Sequence, residues 1–291
     1  MSRLFCFGIG YSALHLIAEL LLDEDWSFAG TCRSEEKCAE VRAAGVDAVP
    51  FERGNPVADL VTALRDVTHL LVSVPPDEFG DPVLDMHAAD IAAVAPRLQW
   101  AGYLSTTGVY GDHGGGWVDE GSALTPAGAR GWRRVRAEAG WYTLHQESGV
   151  PLHVFRLAGI YGPGRSPLEQ LRKGTAHRVD KPGQYFSRIH VDDLVGTVHA
   201  SMGQPNPGRV YNVCDDEPAH PAEVVAYAAG LLGMEPPPLV PFEQAELSEM
   251  ARSFYGETKR VRNDRIKQEL GLRLRYPTYR EGLAALAAAP V

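Results

Sequence analysis

The chain has 291 residues, 45% hydrophobic and 22% charged, enough for one large domain or a domain with a smaller lobe. A formal net charge of −9 argues against a nucleic-acid surface, and no run approaches the roughly 18 apolar residues of a membrane span, so neither partner is expected. The first apolar run is broken by Gly8 and Gly10 and lacks a signal-peptide pattern. Cys6, Cys32, Cys38 and Cys214 have neither zinc nor disulfide spacing, so a cytoplasmic protein with buried thiols and no metal is expected.

In chain order, an apolar strand to Phe7 runs into Gly8-Ile9-Gly10-Tyr11-Ser12-Ala13. Leu14, Ile17, Ala18 and Leu21 then fall at i, i+3, i+4, i+7 and predict a helix packed on a sheet. This strand–turn–helix reads as a dinucleotide site rather than a structural turn. Gly8 permits the tight turn, Gly10 leaves room for a pyrophosphate, the first helical amides from Tyr11 and Ser12 onward face the anion, and Ala13 takes the helix-packing position. Strands are predicted over Trp26–Cys32 and Asp47–Phe51, with helices over Glu35–Ala44 and Val57–Arg65. The apolar run His69–Val74 stops at Pro75-Pro76, which puts Val74 at a strand's carboxyl end. A helix over Val83–Val94, a strand over Ala101–Ser105 and a glycine-rich loop over Gly111–Gly121 follow. The alternation predicts an α/β fold, a Rossmann-type doubly wound parallel sheet with ligands at the strands' carboxyl ends.

The second half predicts a strand over Pro151–Leu157, a loop over Gly159–Gly164, a strand over Val210–Cys214 and a helix over Pro221–Leu232. Pro236-Pro237-Pro238 must be extended, and a polar helical region closes the chain. Residues 1–160, with later segments returning, are expected to form the dinucleotide-binding domain, and 161–291 mainly a smaller α/β substrate lobe.

An NAD site usually ends its second strand in a carboxylate that bonds the ribose. Here that position reads Thr31-Cys32-Arg33-Ser34, and Arg33 offers a fork suited to a 2′-phosphate, so NADP is expected over NAD. Alternatively, Arg33 is a solvated charge near Glu35 and Glu36.

The glycine turn, Ser105-Thr106-Thr107-Gly108-Val109-Tyr110-Gly111, Arg156-Leu157-Ala158-Gly159-Ile160-Tyr161-Gly162-Pro163-Gly164, His190-Val191-Asp192-Asp193-Leu194 and Val210-Tyr211-Asn212-Val213 occur in that order. Together they resemble the extended short-chain dehydrogenase/reductase superfamily, the NAD-dependent epimerase/dehydratase group, over nearly the whole chain. The resemblance implies a C-terminal substrate lobe, a homodimer, and a Ser/Thr–Tyr–Lys catalytic group in which the Lys lowers the Tyr pKa and holds the nicotinamide ribose. Thr106 stands at the Ser/Thr position. Aligning Pro126, Gly131 and Glu138 with the family puts Arg130 at the Tyr position and Arg134 at the Lys position; a two-residue slip would use Trp132 and Arg136. Arg134 can still bond ribose hydroxyls, but a guanidinium with pKa above ~12 cannot replace a phenol as proton donor. A solvated helix face, with Glu138 as ion-pair partner and Arg134 turned inward, is the alternative for Arg130–Arg136.

Tyr110 is therefore a candidate substitute acid beside Thr106, and His113 a weaker one. Tyr161 and Tyr185 are placed on the substrate side, while the His190–Asp193 block reads first as a strand end and helix N-cap. Serine-hydrolase, Walker and zinc-protease motifs do not occur. The sequence thus points to an NADP-dependent oxidoreductase or epimerase-like enzyme acting on a small polar, or nucleotide- or sugar-linked, carbonyl or alcohol. The alternative is a non-catalytic NADP-binding sensor or scaffold.

Overall fold

The computed structural model describes residues 1–23 and 25–289. Strand β1 (Ser2–Phe7) buries Leu4, Phe5, Cys6 and Phe7 to 2% exposure or less, as a strand covered on both faces must. It pairs in parallel with β2 (Trp26–Cys32) on one side and β4 (His69–Val72) on the other. Strand β3 (Asp47–Pro50) extends the β2 edge and β5 (Trp100–Thr106) the β4 edge, again in parallel. With β6 (Leu152–Leu157) and β7 (Val210–Val213), the seven-stranded order is 3-2-1-4-5-6-7. Strand order reverses between β1 and β4, the place where open α/β sheets bind ligands.

The helices of this part are α1 (Tyr11–Leu20), α2 (Glu35–Ala43), α3 (Leu60–Ala63), α4 (Pro82–Val94) and α5 (Ala129–Ser148). Helix α1 turns a different stripe to the sheet from the expected one. Ala13, Leu16, Ile17 and Leu20 are buried, whereas Ala18 and Leu21 are exposed. Both stripes have helical spacing; putting the small Ala13 inward lets the first turn approach the sheet. Helix α3 is shorter than the expected Val57–Arg65, because Asp59 caps it by accepting from Thr62 N at 3.1 Å. Among the described residues, no helix is long and apolar enough to cross a membrane.

Two compact units emerge. The first comprises residues 1–106, 132–156 and 195–211, and carries most of the sheet. Its core joins Phe5, Phe7, Leu70, Val72, Tyr103 and Trp141. The second comprises residues 107–131, 157–194 and 212–291. Residues 195–211 return to the first unit from the later part of the chain, while residues 107–131 lie in the second.

The second unit uses ladders of two or three residues. Gly159–Tyr161, expected as loop, pairs with Arg188–His190. Arg178–Asp180 pairs with Leu239–Pro241, and Trp117–Val118, inside the expected Gly111–Gly121 loop, pairs with Arg260–Val261. Such short strands carry too few residues to show a period of two. Helices Pro221–Leu231 and Tyr279–Ala288 supply the core of this unit, with Tyr161, Leu168, Ala228, Tyr279 and Leu283 at its centre. Gly282 is needed there, since a Cβ would stand 2.1 Å from the Tyr161 hydroxyl.

Candidate cofactor site

The turn after β1 is held by side chains from the two flanking strands. Gly8 has φ +88°, a conformation open to glycine, and its amide donates to Thr31 Oγ1 at 3.0 Å. Ser73 Oγ donates to the Gly8 carbonyl at 2.6 Å, and Ile9 N donates to the Thr31 carbonyl at 2.7 Å. A Cβ on Gly8 would meet Ser73 Oγ at 2.8 Å and Val74 Cγ2 at 3.1 Å, so Val74 walls the turn. Gly10 is different. It is the N-cap of α1, no side chain caps it, the first turn holds no acidic residue, and a Cβ there would meet nothing within 4 Å. The positive end of α1 thus opens at Gly10, with half-buried Tyr11 and Ser12 and fully buried Ala13 behind it. Thr31, Ser73 and Gly30 were missed as site residues by sequence reasoning. A Cβ on Gly30 would lie 2.3 Å from the Cys6 carbonyl and 3.0 Å from Ile9, and a glycine inside a strand is the signal for such close approach.

Beyond β2, Arg33 is exposed and, among the described residues, no carboxylate pairs with it. The two acids expected near it are engaged elsewhere: Glu35 bonds Arg42 at 2.7 Å, and the Glu36 carboxyl is held below its usual pKa by its own backbone amide and then by the Ser34 hydroxyl. Ser34 also caps α2, accepting from Lys37 N at 3.3 Å.

At the carboxyl end of β5, Ser105 Oγ donates to Glu138 Oε1 at 2.5 Å. Arg156 forks onto the same carboxylate, with Nη2 2.8 Å from Oε2 and Nε 3.2 Å from both oxygens. All three residues are buried to 4% exposure or less. Glu138 therefore pairs with Arg156 on β6 and not, as expected, with the arginines of its own helix. Arg134 does turn inward, and its Nη1 donates to the Leu104 carbonyl at 2.8 Å and to the Tyr103 hydroxyl at 3.1 Å. Its remaining guanidinium N–H groups have no protein acceptor among the described residues. Burial pushes the Tyr103 phenol well above its usual pKa despite the pull of Arg134, so it holds its proton at neutral pH. Thr106 ends this strand, half-buried.

In the second unit, Tyr110 is fully buried, and its hydroxyl donates to Asn212 Oδ1 at 2.7 Å. His113 bonds the Tyr110 carbonyl at 3.1 Å and Arg130 lies 5.7 Å over the Phe254 ring. The string Tyr255-x-x-x-Lys259 does occur, but outside a helix. Lys259 Nζ is held by the Gly111 carbonyl at 2.8 Å and Glu257 at 2.9 Å, and Tyr255 packs on Phe186 and Phe242. All four cysteines are buried as free thiols. His190 ends a strand, with Asp192 and Asp193 in the helical turn that follows, as expected.

No family model matches the chain. Protein YeeZ of Escherichia coli is 29% identical over 288 residues, covering 95% of this chain and 97% of that protein. A 3-diazoavenalumate denitrifying reductase from a Streptomyces species is 30% identical over 258 residues, 83% of each chain. Among solved structures, a conserved protein of unknown function from Silicibacter pomeroyi is 52% identical with a TM-score of 0.89, covering 99% of both chains. The UDP-glucuronic acid 4-epimerase of Bacillus cereus, solved with NAD, shares the fold at 16% identity and a TM-score of 0.76, over 98% of this chain and 97% of that one. With the glycine turn, the strand order and these relatives in agreement, the chain belongs to the extended short-chain dehydrogenase/reductase family, the NAD-dependent epimerase/dehydratase group.

Proposed function

We propose that the protein is an NADP-dependent oxidoreductase of atypical extended short-chain type that acts on a small polar carbonyl or alcohol. The observation that carries this reading is the open helix end at Gly10. Its glycine turn is braced from both neighbouring strands, yet no side chain of the protein caps it. In this reading the amides of Tyr11 and Ser12 hold the diphosphate, Gly10, whose own amide donates to the Gly8 carbonyl at 3.0 Å, leaves it room, Ala13 lets α1 approach, and Val74 walls the cradle. Arg33, left without a carboxylate, takes the 2′-phosphate, and Ser34 keeps α2 in register behind it. The bound coenzyme supplies hydride transfer.

The chain's own residues then orient. Arg134, pinned by Leu104 and Tyr103, turns its remaining N–H groups to the nicotinamide ribose, and the Thr106 hydroxyl bonds the substrate oxygen. Tyr110 takes no part, because its proton is already donated to Asn212 in a fully buried pair. That burial, with Arg130 at the family's Tyr position, favours the second reading of a cofactor-binding protein without turnover.

Calorimetry with NADPH and NADH tests the proposal. NADPH should bind the more tightly, and Arg33→Ala should weaken NADPH about tenfold or more while leaving NADH unchanged, the loss of one charge-assisted fork. Equal affinities, unchanged in the variant, overturn the NADP assignment. Binding without turnover across a carbonyl panel, with Thr106→Val making no difference, selects the second reading.

A further inference from the structure

We propose that Arg260, stacked on Tyr185, is the anion-recognising residue of the second unit and that the substrate carries a carboxylate joined to a flat, conjugated group. This deepens the proposed function by naming a substrate class, and the substrate role of Arg260 rests on that reading.

Three segments of the second unit build the shelf. Arg260 lies in the two-residue ladder with Trp117, its register partner, and its backbone amide donates to the Gly116 carbonyl at 2.9 Å. Its guanidinium carbon sits 3.8 Å from the centre of the Tyr185 ring. Tyr185 is itself fixed, since its amide donates to Thr258 Oγ1 at 3.0 Å and Thr258 Oγ1 donates on to the Gly183 carbonyl at 2.9 Å. Gly115 lies against the same ring: a Cβ there would be 3.5 Å from Tyr185 Cδ2, an ordinary van der Waals contact. Arg262, two residues on and so on the same face of the strand, lies 5.1 Å over Trp117, which is 48% exposed.

What singles out Arg260 is its unspent donors. It is half-buried, yet its guanidinium makes no hydrogen bond or ion pair with any described residue. Its neighbours are engaged: Arg262 pairs with Asp264 at 4.0 Å, Arg265 with Glu120 at 3.7 Å and Glu269 at 3.9 Å, and Lys259 with Glu257 at 2.9 Å. Asp112, the acid on the adjoining loop, accepts from Thr258 N at 2.8 Å and Gly114 N at 3.2 Å. In a chain of net charge −9, an arginine centred 3.8 Å over an aromatic ring and left without an acid presents a preorganised fork. A planar guanidinium matches a carboxylate two bonds at a time, and the exposed indole of Trp117 beside it offers a face for a conjugated ring.

The full-length protein is titrated by calorimetry with trans-cinnamate, its neutral analogue trans-cinnamamide, and phenyl phosphate, each with and without NADP. Cinnamate should bind about tenfold or more tightly than the amide, and Arg260→Gln should remove that advantage while leaving cinnamamide and NADPH affinities unchanged, as expected for one charge-assisted pair. Arg260→Lys should recover part of it, a point charge without the fork. Equal affinity for acid and amide, no cinnamate binding, or an Arg260→Gln variant that still prefers the acid overturns the proposal. A preference for phenyl phosphate over cinnamate overturns the carboxylate assignment. NADPH that fails to bind sinks the proposed function alone, because the acid-to-amide ratio without cofactor still reads Arg260.

Discussion

The two units make binding surfaces by different physical means. In the first, the candidate site is mostly main chain. A seven-stranded sheet delivers Gly8 and Gly10 to a strand end, and Thr31 and Ser73 bolt the turn to the strands on either side. In the second, ladders of two or three residues hold loops together, and the candidate surface is made of side chains such as Arg260 and Tyr185. A backbone cradle tolerates sequence change around it so long as its glycines stay, which suits a cofactor common to many enzymes. A side-chain shelf changes with one substitution, which suits the part that selects a substrate.

The strongest challenge to this contrast strikes the buried side chains beneath the first unit's strand ends. Glu138→Ala should cost about 3–5 kcal/mol in urea unfolding, since it takes the carboxylate away from the buried Arg156 guanidinium and removes the acceptor of Ser105. A loss below about 1 kcal/mol would mean that water reaches the pair.

Acid should weaken the first unit next. Burial lowers His69 and His153 to about 4, below their usual value. His153 Nε2 also accepts from Asn206 N at 2.8 Å, so that nitrogen must carry no proton in the fold. The unfolded chain therefore binds protons first. The stabilisation is complete above about pH 6.5 and is lost as pH falls toward about 4, costing about 1–2 kcal/mol per histidine between pH 7 and 5. Denaturation midpoints at those two pH values check this, and His153→Gln should shrink the difference.

The smallest expected change in stability, and the sharpest for function, comes from the two turn glycines. Gly8→Ala forces φ +88° on an L-residue and crowds Ser73, so thermal unfolding should register about 1–2 kcal/mol together with loss of coenzyme. Gly10→Ala meets open space and should leave stability within about 0.5 kcal/mol, yet cut NADPH affinity about tenfold or more if a diphosphate approaches there. Unchanged affinity in the Gly10 variant would reduce the turn to architecture.

Much of the first unit could be read from the chain. Strand β2 has the bounds expected for it, and the strand expected over His69–Val74 forms, ending two residues earlier at Val72. The glycine turn sits where its spacing put it, because a strand, a turn and a helix start are local events. Other features could not be read this way. Two stripes of α1 had equal claim to the sheet, and the strands' placement decided in favour of Ala13. Glu138 had four arginines on its own helix within reach of sequence logic, but Arg156 on β6 takes it. Tyr110 looked available beside Thr106 until the fold buried it against Asn212.

The order of residues alone was enough to place most strands and helices of the first unit, and the glycine turn between the first pair. Those outcomes depend on backbone torsions and hydrogen bonds spanning a handful of neighbours. Which carboxylate meets which guanidinium, and which arginine is left with none, came only with the assembled fold. Such pairings join residues distant in the chain, and their strength is set by burial that no local stretch of sequence records.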